Sequence, residues 1–299
     1  MKIHRVLLPF LRGTLGFQLI VFTKMTSTTS ALASVRPADE TTDNLSTWSK
    51  RWKESKTGWH LLQPHHFLEK YGHEIIPNFA TPPSTTDAAC TDSDHATAGK
   101  QVRVFVPLCG KTVDMAFMAE HRGVSEVVGI DGIRKALDEF STENPNLQIE
   151  EQSTHHHRAV EKLSGNGIAL LRGDLFDLDD DMTGGKFDCI FDRASLVAIQ
   201  PELRERYVET MGKLMKPGGT ILLVTFDRRD GTDDAKKAGP PYSVDEREVR
   251  RLYEGLDWVT SVTKLDEFDE LENDKSRIPH WKEQGINLLF ELCLLIKVK

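Results

Sequence analysis

Four short segments follow runs of β-forming residues and carry side chains able to hold a small molecule: Val106-Pro-Leu-Cys-Gly-Lys-Thr, Asp131, Arg172-Gly-Asp-Leu-Phe-Asp-Leu and Arg193. In the first, Leu108 and Cys109 lead into Gly110, the one glycine of a strand-to-helix turn. A dinucleotide fingerprint needs GxGxxG so that the backbone can approach a pyrophosphate, and a P-loop needs GxxxxGK; this segment has neither spacing. A turn with a single glycine suits a nucleoside without phosphate, which points to S-adenosylmethionine rather than NAD or ATP. Asp131 stands 21 positions after Gly110. An acid about 20 residues beyond such a turn accepts from both ribose hydroxyls; the competing reading is an acid complementing a helix N-terminus. Asp174 suits an adenine amino group, with Leu175 and Phe176 as apolar walls, or else caps its own backbone in an Asx turn. Arg193, just past a strand, either points into the ligand crevice or pairs with Asp192 or Glu202.

The elements that must position these residues alternate in type. Strands are expected at Val102–Pro107, Glu126–Asp131, Ile168–Leu171, Phe187–Asp192 and Thr220–Phe226, with helices at Thr112–Glu120, Ile133–Ser141 and Pro201–Met215. Such βαβ units imply a mostly parallel sheet with helices on both faces, whose ligands bind beyond the carboxyl ends of the strands. Two late β-rich runs, at 257–265 and 287–297, lack an ordinary helix between them and suggest an antiparallel closing strand. Ahead of this core, Trp48 and Trp52 share one face of a short amphipathic helix. A second helical pattern runs from about Pro64 to Tyr71, with His65 and His66 read as surface residues. Residues 81–99 are polar and Pro-containing, as in a linker, and 143–167 form an irregular excursion.

Composition narrows the partners. The chain has 299 residues, 38 Lys and Arg against 46 Asp and Glu, and all the acids fall after residue 38. An acidic body argues against a nucleic-acid surface, which needs clustered cations. Four scattered cysteines give neither a disulfide framework nor a zinc site, and fit a reducing compartment. Three consecutive histidines, His155 to His157, read as a solvated loop rather than a metal site. Cys109 reads as a small thiol at a tight turn rather than a nucleophile. Val6 to Phe22 contains Arg12 and is too short for a membrane span. The basic, acid-free start reads as an extension, or as a mitochondrial-type transit segment.

Together, Trp48-x3-Trp52, Lys56-Thr-Gly-Trp-His60, Pro107-Leu-Cys-Gly-Lys, Val127-Val-Gly-Ile-Asp, Leu175-Phe-Asp-Leu, Phe187-Asp-x3-Asp-Arg-Ala-x-Leu-Val-Ala-Ile-x-Pro and Gly239-Pro-Pro-Tyr-Ser-Val resemble the thiopurine S-methyltransferase family, over roughly Trp48 to Lys297. The resemblance implies a Rossmann-like class I methyltransferase: a mostly parallel seven-stranded sheet with an antiparallel C-terminal strand and an N-terminal helical lid. It implies an extension at 1–43 and a methyltransferase domain at 44–299, made of a lid at 44–80, a linker at 81–100 and a catalytic core at 101–299. S-adenosylmethionine would be held by Trp48, Trp52, Thr57, Leu108, Gly110, Asp131, Asp174, Leu175 and Arg193. Trp59 would contact the acceptor, Arg193 would also position the reactants, and no metal takes part. Relatives carry Glu in place of Asp131 and often Phe in place of Trp59; Arg277 and His280 are candidates for the basic residue that faces the acceptor in mammalian members.

The expected reaction is methyl transfer to a small aromatic or heterocyclic thiol, by a cytoplasmic monomer with no nucleic-acid or membrane partner. Halide, thiocyanate, selenium or tellurium acceptors are the alternative within the same chemistry. A non-catalytic S-adenosylmethionine-binding module is a second class, and a nicotinamide oxidoreductase is disfavoured by the missing glycines.

Overall fold

The protein is described by a computed structural model covering residues 38–79, 101–152 and 160–299, with side chains from Leu45 onward. The expected linker at 81–100, the histidine run at 155–157 and the segment before residue 38 lie outside the described residues.

Apolar runs form the strands β1 (Val102–Val106), β2 (Val124–Asp131), β3 (Glu150–Gln152), β4 (Glu161–Gly165), β5 (Ile168–Arg172), β6 (Phe187–Arg193), β7 (Met215–Arg228), β8 (Val259–Asp269) and β9 (Leu289–Val298). The helices are α1 (Ala38–Lys53), α2 (His66–Tyr71), α3 (Val113–Ala119), α4 (Arg134–Glu143), α5 (Asp180–Thr183), α6 (Arg204–Leu214), α7 (Asp233–Lys237), α8 (Glu246–Tyr253), α9 (Glu270–Asn273) and α10 (Ile278–Glu283).

One sheet runs in the order β3-β4-β5-β2-β1-β6-β7-β9-β8. Strands β5, β2, β1, β6 and β7 are parallel, and β9 inserts antiparallel between β7 and β8. The seven expected strands are thus present with the reversed strand in place. The sheet also carries a two-strand addition that the sequence reading left irregular. Strand β4 pairs antiparallel with β5, and β3 with β4. Of the residues in these two strands only Leu163 is buried, so they offer no apolar alternation to detect, and their pairing rests on the backbone ladder.

Strands buried on both faces explain the near-continuous apolar runs. One face packs Val104, Val127, Leu170, Phe191 and Leu222 against Met115 and Met118 of α3 and Leu137 and Phe140 of α4. The other packs Phe105, Ile190, Ile221 and Leu294 against Tyr207 and Met211 of α6 and Val249 and Leu252 of α8.

The segment expected as a lid divides in two. Phe67 and Leu68 of α2, with Ile75 and Ile76, are buried in the first face. Residues 65–79 therefore belong to the core, and the cleft is covered by α1 and the stretch through Trp59. His65 is only 2% exposed, which corrects its reading as a surface residue. Its ring turns inward to cap α2 and to meet a buried carboxylate of β9. No helix among the described residues is long and apolar enough to cross a membrane.

Candidate active site

The carboxyl ends of β1, β2, β5 and β6 open into a cleft of about 2150 Å³. Asp131 closes β2 at its floor, 8% exposed. One carboxylate oxygen accepts from the Gly110 N–H at 2.9 Å, the other from the Ile133 N–H at 2.8 Å. Burial pushes its pKa up to about 6, against the pull of the Ile133 and Gly110 N–H groups. Asp131 thus anchors the turn into α4, and it also lines the cleft.

Glycine is required at 110, where φ is +53° and an added Cβ would come within 3.2 Å of the Trp52 ring. Two non-glycine residues on the cleft wall also have positive φ, Leu108 at 42° and Ala194 at 64°. Left-handed backbone at such residues is unfavourable and persists where the surroundings hold it. Here the Ser195 hydroxyl donates to the Pro107 carbonyl at 2.5 Å and joins the two turns.

Asp174 accepts from the Phe176 N–H at 2.9 Å, the Asx cap that was one of its two readings, and it lines the cleft as well. Leu175 is 3% exposed and joins the core while touching the cleft. Phe176 is half-buried, with the Arg206 guanidinium 4.4 Å from its ring centroid.

Three tryptophans form the roof. The half-buried Trp59 meets Trp48 edge-on at 5.2 Å and Trp52 at 6.0 Å between ring centroids. Trp52 is buried against Ile133 and Ala136 at the start of α4, so the roof rests on the helix that follows Asp131. Lys135 Nζ donates to the Trp52 carbonyl at 2.9 Å. Arg193 Nη1 donates to the Trp59 carbonyl at 2.7 Å, so the guanidinium does face the crevice. Asp192 accepts instead from the Tyr207 hydroxyl at 2.7 Å. Thr57 is the one expected cofactor contact outside the cleft lining; its carbonyl accepts from the His60 N–H in the turn.

The far wall holds Arg228, Glu270 and Glu291, which sequence reasoning missed, beside Arg277 and His280, which the family resemblance had named as candidates. Arg228, at the end of β7 and 3% exposed, donates to the carbonyls of Ala235 at 2.6 Å, Ala238 at 2.5 Å and Pro241 at 2.5 Å. It shapes the loop that presents Pro240 and Pro241 to the cleft. Beside it, Glu291 of β9 and Glu270 of α9 are buried, with Arg277 ion-paired to Glu270 and His65 Nε2 3.1 Å from Glu291. All four line the cleft, as does His280, which contacts Gln284 at 2.9 Å. Two signals in the sequence mark this wall: a single acid within the apolar run Leu288–Ile296, and an arginine closing the apolar run of β7.

The atoms of His65, His66 and Glu291 lie within 4.8 Å of one another, a spacing a cation also needs. The Phe67 N–H donates to His65 Nδ1 at 3.2 Å, so the ring hydrogen sits on Nε2 and points at Glu291. That is a proton-bridged contact rather than a metal ligand set. Cys109 is buried, and burial pushes its thiol pKa well up, away from nucleophilic use.

A family model described as Thiopurine S-methyltransferase (TPMT) matches residues 91–291. A thiopurine S-methyltransferase of Bos taurus is 35% identical over 257 residues, covering 85% of this chain and 90% of the relative. One of Nitrosospira multiformis is 31% identical over 255 residues, covering 84% and 97%. Among solved structures, Burkholderia thailandensis 1,6-didemethyltoxoflavin-N1-methyltransferase, with bound 1,6-didemethyltoxoflavin and S-adenosylhomocysteine, superposes with a TM-score of 0.50. It is 13% identical and the match spans 87% of this chain and 89% of that one, a likeness of fold.

Proposed function

The chain belongs to the thiopurine S-methyltransferase family, and on that premise we propose that its cleft holds S-adenosylmethionine over Asp131 and presents a small aromatic or heterocyclic thiol beneath Trp59. The protein is an S-adenosylmethionine-dependent S-methyltransferase with a class I methyltransferase fold.

The observation that carries the site assignment is the clamped carboxylate of Asp131, set at the floor of an open cleft and faced by apolar walls. The residues fit the cofactor's chemistry. Asp131 offers acceptor lone pairs beyond the two taken by Gly110 and Ile133. Leu108, Leu175 and Phe176 supply apolar surface for a base, with Asp174 as the polar anchor beside them. Trp48, Trp52 and Trp59 shut the opposite side from water, and aromatic faces suit a sulfonium.

When bound, the cofactor supplies an electrophilic methyl group. The chain's part is to exclude water and align the sulfur that attacks it. Thiolate and sulfonium lose their charges together, so a water-poor site with fixed dipoles favours the step, and alignment contributes much of the rest. Arg193 reaches the crevice from the end of β6, where its charge favours the anionic acceptor while Nη1 keeps hold of Trp59. Arg277 and Arg228 put further positive charge on the acceptor wall.

The free, buried Cys109, Cys189 and Cys293 suit a reducing, cytoplasmic setting, and the acidic body suits a monomer without nucleic-acid partners. Calorimetric titration with S-adenosylmethionine and S-adenosylhomocysteine, followed by labelled-methyl transfer to thiopurines, aryl thiols, thiocyanate and iodide, tests the assignment. Micromolar cofactor binding with transfer to thiols is expected; saturable NADH binding without cofactor binding would overturn it.

A further inference from the structure

The acceptor wall contains a buried pair of carboxyls that cofactor binding does not use. Glu291 is 4% and Glu270 9% exposed, and both line the cleft. Glu291 comes from the start of β9, paired across the sheet with Phe226 and Phe268, while Glu270 opens α9. Each carboxyl acts on the ionisation of the other, so the pair favours keeping a proton.

Each neighbour has a defined part. His65 gives its Nε2 hydrogen to Glu291, because Nδ1 accepts from the Phe67 N–H. Its backbone N–H is held by Asp114 at 2.7 Å, so the ring is fixed. His66 Nε2 lies 4.0 Å from the same carboxylate oxygen; that nitrogen is enclosed without a hydrogen-bond partner. Arg277 balances Glu270, and Arg193 is the cation that acts most on Glu291. Asp266 of β8 acts on His66. The same Arg193 grips Trp59, which places the carboxyl pair on the acceptor side of the cleft.

We propose that the Glu270–Glu291 pair accepts the proton of the acceptor thiol, making Glu291 a general base for acceptors that enter the cleft un-ionised. This rests on the acceptor occupying the cleft as argued above. In the step, the thiol sulfur forms a bond to the methyl carbon as the bond from that carbon to the sulfonium sulfur breaks. The S–H bond gives its proton to Glu291. The products are the methyl thioether, S-adenosylhomocysteine and a proton that passes to solvent.

The surroundings suit that work. Burial raises both carboxyls, and Glu291's charge raises Glu270 further against the pull of Arg277, so one proton is held and one site stays open. Burial holds His65 near 4, so it stays neutral and donates without competing for the proton. A carboxyl pair above the ordinary carboxylate range is better matched to a thiol than an exposed acid is.

The test uses Glu291→Gln and Glu270→Gln with a series of thiols from a nitrothiophenol, ionised at neutral pH, to weakly acidic phenylmethanethiol. For Glu291→Gln, kcat/KM should fall about 100-fold more on the weakly acidic thiol than on the nitrothiophenol, the scale of general-base catalysis. For Glu270→Gln, loss of the neighbouring acid, whose hydrogen bond holds the Glu291 carboxyl down, should move the acid limb of kcat/KM for the weakly acidic thiol to higher pH. Calorimetry with S-adenosylhomocysteine reports whether each variant retains a formed cofactor site. An equal loss on every thiol, or an acid limb that stays in place in Glu270→Gln, would overturn the proposal. Failure of the wild-type protein to bind S-adenosylhomocysteine or to methylate the nitrothiophenol would instead overturn the cleft assignment. If Glu291→Gln does not fold, the Glu270→Gln profile decides.

Discussion

Arg193 Nη1 and the carbonyl of Trp59 are 2.7 Å apart, so the end of a central strand and the tryptophan roof are joined by one charge-assisted hydrogen bond. A bond of that kind contributes roughly 1.5–3 kcal/mol, or about 10- to 100-fold in a rate it controls. Arg193→Lys keeps the charge but not the planar fork, and is expected to lower kcat/KM within that range while the apo melting temperature moves little. Full activity in the lysine variant, measured by steady-state methyl transfer, would show that charge alone suffices.

At Asp131 the two oxygens receive N–H groups from Gly110 and Ile133. Asp131→Asn turns an amide toward one of those donors, leaving a buried N–H opposed, a cost of about 1–3 kcal/mol. Affinity for S-adenosylhomocysteine should drop about 10- to 100-fold by calorimetry, with the acceptor KM at saturating cofactor nearly unchanged. A raised acceptor KM with intact cofactor affinity is the result that removes Asp131 from the cofactor site.

The roof separates packing from recognition. Trp52 is 3% exposed against Ile133 and Ala136, whereas Trp59 is half-buried. Trp52→Ala should destabilise by about 3 kcal/mol or more. Trp59→Ala should cost far less stability yet weaken acceptor use more than cofactor binding. Thermal melts beside kinetics decide; a Trp59→Ala protein that melts as low as Trp52→Ala with normal kinetics would place Trp59 in the core.

Asp192 is fully buried, accepting from Tyr207 and the Leu196 N–H, and burial pushes its pKa up to about 6 from the ordinary 3.8. The folded state therefore holds a proton that the unfolded chain releases between about pH 4 and 6, and stability from this group falls as pH rises through that window. Asp192→Asn can still accept from Leu196 and can donate to the Tyr207 oxygen. Its stability relative to wild type should rise by up to about 3 kcal/mol from pH 4 to 6, at about 1.4 kcal/mol per unit, and stay level above. Urea midpoints at pH 4.5, 5.5 and 7 read this directly; a constant difference would mean that Asp192 is not perturbed.

Arg228 holds three carbonyls of the 235–241 loop. Arg228→Met keeps the apolar stem and loses those bonds. The acceptor KM is expected to rise about tenfold with cofactor affinity retained, given about 1 kcal/mol net for each bond lost and partial loop rearrangement. An unchanged KM would assign Arg228 to stability alone.

What the sequence made legible was the turn and strand end proposed to hold the cofactor. Gly110 and Asp131 stand out by residue type and separation, because a βαβ unit fixes both the turn and the distance to the next strand end. The acceptor wall was not legible for the opposite reason. The search for loops after strands suits parallel strands, and Glu270 and Glu291 come from the loop before β9 and from its first residues, a region where only the family resemblance had pointed to Arg277 and His280. Glu291 sits inside an apolar run that reads as plain core, and His65 beside a second histidine reads as solvated. Strands β3 and β4 escaped because their order comes from ladder bonds, with Leu163 their one buried side chain.

The reversal of β9 also bears on how the family can diversify. Running against β7, β9 brings its opening residues, opposite Arg228 and Asp227, to the edge where the parallel strands finish. Its preceding segment, with α9 and α10, is thereby delivered to the same mouth as the loops proposed to hold the cofactor. Apart from the tryptophan roof, the 65–66 corner, Glu161 and the segment from Arg193 to Leu203, the cleft stands on separate stretches of chain: residues 108–133 and 172–176 on one side, 226–291 on the other. On the proposed assignment, insertions or replacements in the second stretch would alter the acceptor side while the Asp131 turn keeps its register. Changing the guest would then not require rebuilding the cofactor's seat.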